Sequence, residues 1–323
     1  MQISRRTATD VGLLVLVNGM WAAQYAAYKV ATEKMGPVTV SAWTFLMASL
    51  VLLPFLVRER RARPPSAGGP ARTTAEDCAA AARPWARRNI QGFLMIGLAG
   101  LVPASVLLAW GIDRSTASNA ALIYLMVPII TAVLAWLVLA ERMTAVRWAS
   151  LGVSLLGVLV LSDFNWRELQ FANSRFLLGN LMVLLACAAS SFYNVYCKEL
   201  LRRFTPLEVL VYGYLIALVA SLPLLVWVEP LSGQAVRGYE LRVWIALGVL
   251  SIFSWGLAMV LWMFVLKRLD VSQASVSIYL LPFLGVLISA LTLHERITPV
   301  MIAGGVITLA GTILMTSLEP TSA

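Results

Sequence analysis

The chain carries two matching stripes of polar and aromatic residues that could bind a small solute. Asn18, Trp21 and Tyr25 lie at i, i+3 and i+7, on one face of a helix. Ser190 and Asn194 occupy the positions that correspond to Trp21 and Tyr25 in the second half of the chain. Aromatic rings stack on apolar groups while amides and hydroxyls hydrogen-bond, so this mixture suits an amphipathic solute. The alternative is packing between helices, with the amides bonding to neighbouring helices.

Two further aromatic residues extend the candidate substrate-binding set. Trp255 shares a helix face with Ser251 and Trp262, and Tyr279 shares one with Ser275. Tyr and Trp also form interfacial belts in membrane proteins, so a cavity-lining role and a packing role both stay open. We predict no catalytic residue and no metal ligand. The predicted substrate-binding residues are Asn18, Trp21, Tyr25, Ser190, Asn194, Trp255 and Tyr279.

Two prolines lie at equivalent places in the two halves of the chain. Pro128 and Pro282 each lie inside an apolar segment that is followed by Glu-Arg. Proline removes a helix hydrogen bond and favours a kink. We predict that Pro128 and Pro282 shape the two helices as kinks, with a moving hinge as the alternative role.

The elements that must position these residues are membrane-spanning helices. The 323 residues are 60% hydrophobic and 13% charged, with a mean hydropathy of +0.81, and this charged fraction is well below that of soluble domains. Apolar stretches of this length predict ten spans. The spans are 11–31, 39–57, 91–112, 117–139, 146–162, 176–197, 207–228, 243–266, 271–293 and 299–317. The segment 58–89, rich in Arg, Pro, Ala and Gly, is expected to be a flexible loop.

The two halves repeat each other. Pro37 and Pro54 correspond to Pro206 and Pro223 at one constant offset in the numbering. The offset is smaller in the later part of each half, because one loop of the first half is longer. Five helices per half is an odd number, so the halves must insert in opposite orientations. We predict an all-α membrane protein of two inverted five-helix repeats, 1–165 and 166–323.

Charge predicts the orientation of the chain. With the N-terminus inside, the inner segments hold 17 Lys and Arg residues and the outer ends hold 8. By the positive-inside rule both termini lie in the cytoplasm of a multi-pass protein of the cell membrane. Lys29 and Lys198, which end the two stripes, are expected to extend to the membrane surfaces. The basic residues flank apolar segments, so no nucleic-acid partner is predicted.

Several activities are not expected. The chain has no P-loop sequence, no C-x-x-C pair and one histidine, His294, so we predict no cofactor, no metal site and no enzyme activity. No Asp or Glu lies at the centre of a predicted span. A proton-coupled carrier often keeps a carboxylate there, so facilitated diffusion or exchange is favoured over proton antiport.

Two motifs resemble a known family. The run S-N-A-A-L-I-Y-L-M-V-P-I-I-T-A-V-L-A-W-L-V-L-A-E-R-M-T from Ser118 to Thr144 has a counterpart from Ser272 to Thr298. A small-residue-rich helix, a mid-helix proline and then Glu-Arg resemble the drug/metabolite transporter superfamily, EamA type. The resemblance implies a ten-helix carrier of small metabolites, often an exporter of amino acids. We expect Glu141-Arg142 and Glu295-Arg296 to form helix-end ion pairs.

We therefore expect a secondary transporter that works by alternating access and exports amino acids or related amphipathic compounds. The alternative is a multidrug exporter of small aromatic or cationic compounds. The expected partners are a small-molecule substrate and the lipid bilayer. Glycines cluster in the fifth and tenth helices, where close contact either lies within the bundle or joins two copies, so the chain is a monomer or a homodimer. These glycines are Gly152, Gly157, Gly304, Gly305 and Gly311.

Overall fold

A computed structural model describes residues 5–62, 87–161, 174–229, 238–293 and 298–317. These residues form ten helical segments, which we number α1 to α10. Six keep one helix type along their length: α1 (Arg5–Thr32), α2 (Pro37–Ala62), α5 (Ala145–Leu161), α6 (Ser174–Leu201), α7 (Pro206–Trp227) and α10 (Pro299–Ser317).

The other four helical segments change type along their length. Both α3 and α8 contain a π-helical stretch, α4 is interrupted at Leu125, and α9 contains a 3₁₀ turn. Their pieces are Arg87–Leu94, Met95–Leu101 and Val102–Asp113 in α3; Ala117–Tyr124 and Met126–Leu139 in α4; Leu241–Val249, Leu250–Ala258 and Met259–Arg268 in α8; Val271–Val276, Ser277–Tyr279 and Leu280–Leu293 in α9.

The predicted fold class is confirmed. In the described part of the chain, nine helices are long and apolar enough to span a membrane, and Ala145–Leu161 is a shorter apolar helix. The predicted loop 58–89 is helical at both ends, through Ala62 and from Arg87, and the remainder lies outside the described residues. The predicted boundary between the repeats, at residue 165, also lies outside them.

Helices of one repeat pack against helices of the other repeat. Helix α1 packs on α8 and α9, and in the same way α6 packs on α3 and α4. The first helix of each repeat therefore contacts the third and fourth helices of the other repeat. Helices α2 and α7 pair with each other, as do α5 and α10.

Repeat counterparts meet directly where these pairs cross. Phe45 of α2 stacks on Tyr214 of α7, its counterpart in the second repeat, with ring centroids 5.7 Å apart. Ser154 of α5 and its counterpart Thr308 of α10 exchange hydrogen bonds with each other's backbone carbonyl oxygens at 3.4 and 3.5 Å. Such contacts are expected along a pseudo-two-fold axis that relates inverted repeats.

The helix ends define two faces of the bundle. We call the face at which α1 begins and α10 ends the terminus face, where Asp10 bonds Arg268 and Glu208 bonds Arg60. At the other face, which we call the opposite face, Glu229 accepts hydrogen bonds from the backbone N–H groups that begin α2. Charged side chains thus hold the helix ends, while the spans between them are largely apolar.

Helices α5 and α10 cross in close contact because the crossing is lined with glycine. A Cβ atom added at Gly157 would come within 2.8 Å of the Gly304 carbonyl oxygen and 2.5 Å of the Thr308 backbone nitrogen. Small residues allow this approach in lipid. Of the two roles expected for these glycines, the structure places Gly157 and Gly304 in a contact within the bundle.

The crossing yields a stability prediction. Gly157→Ala should lower the free energy of unfolding by about 1–3 kcal/mol, because the added methyl group has no room between two backbones. Gly152→Ala is the matched control on the same helix, since a Cβ there meets nothing within 4 Å. Thermal unfolding of both variants in detergent would measure the difference. Equal melting temperatures for the two variants would show that the crossing is not tightly packed.

Candidate functional site

An aromatic and amide cluster joins α1, α6 and α8. The ring of Trp21 on α1 lies 5.2 Å from the ring of Trp262 on α8, measured between centroids. Trp262 is fully buried, and its indole N–H donates to the amide oxygen of Asn194 on α6 at 3.0 Å. The two stripes predicted from the sequence therefore meet through Trp262.

Asn18 connects α1 to the 3₁₀ turn of α9. Its side-chain N–H group donates to the Leu14 carbonyl oxygen at 2.7 Å and to the Ser277 hydroxyl at 2.9 Å. The side chain is fully buried, and its amide oxygen has no hydrogen-bond partner among the described residues. A buried acceptor without a donor destabilises the fold, so this oxygen is an acceptor available to a ligand or to another arrangement of the helices.

Trp255 belongs to the same aromatic region. Its ring lies 5.3 Å from Phe45 and 5.9 Å from Tyr214, between centroids. The Tyr214 hydroxyl donates to the Trp255 backbone carbonyl at 2.7 Å, within the π-helical stretch of α8. Trp21 and Trp255 are both partly exposed and pack against one buried apolar cluster.

Tyr279 lies apart from these tryptophans, where α9 meets α4. Its hydroxyl donates to the Leu125 backbone carbonyl at 2.9 Å, at the interruption in α4. The side chain is 1% exposed and packs in a second core with Ala132 and Val276. This hydrogen bond links the interruptions of two helices, and the predicted cavity-lining role of Tyr279 stays a prediction.

The remaining predicted residues lie in or beside these helices. Ser190 is partly buried, one turn before Asn194 on α6. Tyr25 is in α1, and its side chain lies outside the described part of the structure. Pro128 is buried three residues after the interruption at Leu125, and Pro282 follows the 3₁₀ turn of α9 by three residues.

The two lysines at the stripe ends have different surroundings. Lys29 is exposed, as expected, but the ammonium group of Lys198 donates to the backbone carbonyls of Leu266 and Leu269, at 2.5 and 2.8 Å. These carbonyls end α8. A lysine there satisfies acceptors that the helix leaves unbonded, which holds Lys198 against the end of α8 at the terminus face.

The cluster can bind without carrying a formal charge. It offers indole faces, an amide and hydroxyl groups, whereas the carboxylates of the described residues lie near helix ends. No group of three or more His, Cys, Asp or Glu side chains that could hold a metal occurs in the described ranges. This chemistry suits a solute with an apolar part that stacks and a polar part that hydrogen-bonds.

Sequence reasoning missed several residues of the cluster. Phe45 and Tyr214 are repeat counterparts, so the offset that relates the two stripes could have identified them. Trp262 shares a helix face with Trp255, but nothing in the sequence indicates its bond to Asn194. Ser277 gave no signal, because its role depends on a contact with α1, which is distant in the sequence.

The chain is similar to known transporters along most of its length. The sequence matches the EamA-like transporter family over residues 10–163 and 177–317. A probable terminal-alkyne amino-acid exporter of Streptantibioticus cattleyicolor is 27% identical over 312 residues, covering 94% of this chain and 92% of that protein. The uncharacterized transporter YdfC of Bacillus subtilis is 24% identical over 299 residues, covering 92% of this chain and 87% of that protein.

A solved crystal structure has the same fold. It superimposes with a TM-score of 0.74 at 17% sequence identity, covering 96% of this chain and 97% of the other. At this identity the likeness concerns the fold alone.

The bond between Trp262 and Asn194 yields a second prediction. Trp262→Phe should destabilise the protein by about 1–3 kcal/mol beyond the lost volume, because the Asn194 oxygen loses its donor. Adding Asn194→Leu to that variant should recover part of the loss, since no buried acceptor is then left unpaired. Melting temperatures of the single and double variants in detergent measure this. A double variant less stable than Trp262→Phe would contradict the assigned bond.

Proposed function

The chain belongs to the EamA-like transporter family, and from this membership we propose that it is a secondary carrier that exports amino acids or related amphipathic metabolites by alternating access. Its family and relatives are transporters and not enzymes, so the prediction of no enzyme activity is confirmed. It is a multi-pass membrane protein.

The aromatic and amide cluster is the observation that carries the substrate proposal. Trp21 and Trp255 are partly exposed and provide stacking surfaces. Asn18 lies three residues before Trp21 on α1, and Asn194 accepts from Trp262, whose ring contacts Trp21. The relative from Streptantibioticus cattleyicolor is named a probable terminal-alkyne amino-acid exporter. An amino acid with an apolar side chain combines the stackable part and the polar part that this cluster would hold.

The interruptions in α4 and α9 support alternating access. From residue 271 to 280 every residue of α9 except Ile278 is buried, whereas none of residues 281–288 is. Those eight residues cover more than two helical turns, so each side of this half is partly exposed. One half of α9 is enclosed by the bundle and the other half is partly exposed. The 3₁₀ turn lies near the end of the enclosed half, and Pro282 lies near the start of the partly exposed half.

Facilitated diffusion or exchange fits the placement of charge. The carboxylates among the described residues lie near helix ends and none lies beside the aromatic cluster. A proton-coupled exporter of cations would use a carboxylate in the cluster. The second candidate function, export of small aromatic or cationic drugs, is favoured by the stacked rings and disfavoured for cations by the missing counter-charge.

The bilayer supplies the environment of the carrier, and we propose that the terminus face is the cytoplasmic one. The helix ends at that face carry the excess of Lys and Arg. The carrier would work as a monomer or as a homodimer, with its substrate path inside each copy.

Orientation can be tested with reporter fusions. Green fluorescent protein fused after residue 323 should fluoresce in cells, and alkaline phosphatase fused there should be inactive. A fusion placed after Trp227, at the opposite face, should show the reverse. An active phosphatase at the C-terminus would contradict the proposed orientation.

Transport itself is tested by counterflow in proteoliposomes. Labelled apolar and aromatic amino acids should accumulate in vesicles preloaded with the same unlabelled compound, without a pH gradient. Accumulation that needs the gradient would contradict facilitated exchange. A flat amino-acid panel from folded protein, with uptake of aromatic drugs, would favour the second candidate function.

The same assay tests the site. Trp21→Ala should weaken the apparent substrate affinity by about tenfold or more, the loss expected for one stacking surface. Trp136→Ala is the matched control, because Trp136 on α4 is 55% exposed and lies outside the cluster. Equal losses in both variants would remove Trp21 from the binding site.

A further inference from the structure

A buried ionic network joins the two repeats at the terminus face. The guanidinium of Arg147, near the start of α5, donates to the Asp270 carboxylate at 2.7 Å, and it donates to the Ser272 hydroxyl at 3.3 Å. The side chains of Arg147 and Asp270 are 1% and 3% exposed. An ion pair this deeply buried is held by its geometry and its added hydrogen bonds, because both charges have lost water.

Glu141 adds a second connection between the same elements. Its carboxylate accepts from the backbone N–H groups of Val271 and Ser272, at 2.7 and 3.0 Å, and from the Ser272 hydroxyl at 2.6 Å. Ala140 has φ 56°, a left-handed conformation that ends α4 and brings Glu141 against α9. The carboxylate is 4% exposed and lies at the positive end of the α9 dipole. Glu295, its repeat counterpart, lies outside the described residues.

Further bonds extend the network to the neighbouring helices. Gln273 accepts from the Asp270 backbone N–H at 3.3 Å and donates to the Met315 carbonyl of α10 at 3.2 Å. Lys198 of α6 holds the end of α8 through its bonds to Leu266 and Leu269. Six helices, drawn from both repeats, are therefore tied together at this face.

The equivalent positions at the opposite face carry no charged residues. At the offset that relates Ser154 to Thr308, Arg147 corresponds to Met301 and Asp270 corresponds to Thr116. The Thr116 hydroxyl caps its own helix by accepting from the Asn119 backbone N–H at 3.1 Å. Inverted repeats build the two faces from equivalent positions, so a buried charged pair that occupies these positions at one face and not at the other makes the two faces unequal.

We propose that Arg147, Asp270 and Glu141 form a gate at the terminus face that separates whenever the carrier opens there, and that the one-sided placement of the Arg147–Asp270 pair biases the resting carrier toward opening at the opposite face. This inference rests on the proposed carrier function. Water that enters as the face opens would hydrate the separated charges, whereas separation in a closed bundle would strand them in a low dielectric. The enclosed half of α9, residues 271–280, is the part that the gate holds.

Two reporter cysteines on α9 can detect the bias without any substrate. Ser275→Cys lies in the enclosed half, where Ser275 is fully buried, and Val286→Cys lies in the partly exposed half. Each reporter would be introduced singly into the Cys78→Ser variant. The Cys78→Ser variant without a reporter measures the background alkylation of Cys187 and Cys197, which are both buried. The rate of alkylation by a water-soluble maleimide would be measured in lipid nanodiscs.

The gate variant combines Arg147→Met with Asp270→Thr. It gives the terminus face the residues that occupy the equivalent positions at the opposite face, and it leaves neither charge of the ion pair unpaired. The Ser275→Cys rate should rise by about fivefold or more while the Val286→Cys rate falls, because the population moves between two arrangements. Glu141→Gln should shift both rates in the same directions by a smaller factor.

The control for the gate variant removes a different ion pair at the same face. Arg202→Met with Glu199→Thr deletes an exposed pair on the surface of the bundle and should change neither rate. A shift in this control as large as in the gate variant would refute the gate.

Other outcomes also overturn the gate. Rates that rise at both reporters would mean general loosening of the fold, and unchanged rates would mean that the ion pair is only structural. Because no substrate is used, opposite changes in the alkylation rates of the two reporters support the gate even if no amino acid is transported. Transport of amino acids with unchanged alkylation rates refutes the gate but not the proposed carrier function.

Discussion

Inside a bilayer every backbone polar group must find its partner within the protein, and the rest of this structure follows from how its interrupted helices meet that requirement. Where α4 is interrupted, the Leu125 carbonyl accepts from Tyr279, and the neighbouring Val127 carbonyl accepts from Ser191. Where α8 turns π-helical, the Trp255 carbonyl accepts from Tyr214. These side chains come from other helices, so these two irregularities also tie together elements that could otherwise move apart.

The polar side chains of the bundle lie in two regions, the interior and the helix ends. Hydroxyl, amide and indole groups lie around the interruptions in the helices that surround α1, whereas full charges lie at the helix ends. This separation lets an uncharged aromatic cluster form in the interior at little desolvation cost, while ionic networks hold the faces. The buried pair of Arg147 and Asp270 is the strongest example of the second kind, and its absence from the equivalent positions makes the two faces different.

The sequence predicts the ten helices and the inverted repeat well, because hydropathy and repeated motifs are local signals. It also places Trp21 and Asn194 on faces that turn inward, although it does not reveal that Trp262 joins them. The bonds of Lys198 to the end of α8 could not be predicted, because the sequence does not show which carbonyls that helix leaves unbonded. Arg147 and Asp270 are distant in the sequence, and only the packing of the two repeats brings them together.

The central claim is that one bundle alternates between openings at its two faces. Distances between spin labels, measured by double electron–electron resonance, test it most directly, with one pair at Arg142 and Lys267 on the terminus face and another at Ala121 and Leu287 on the opposite face, all exposed. The account predicts two distances for each pair, with substrate changing their populations in opposite directions at the two faces. A single distance for each pair, unchanged by any substrate that the protein transports, would contradict it.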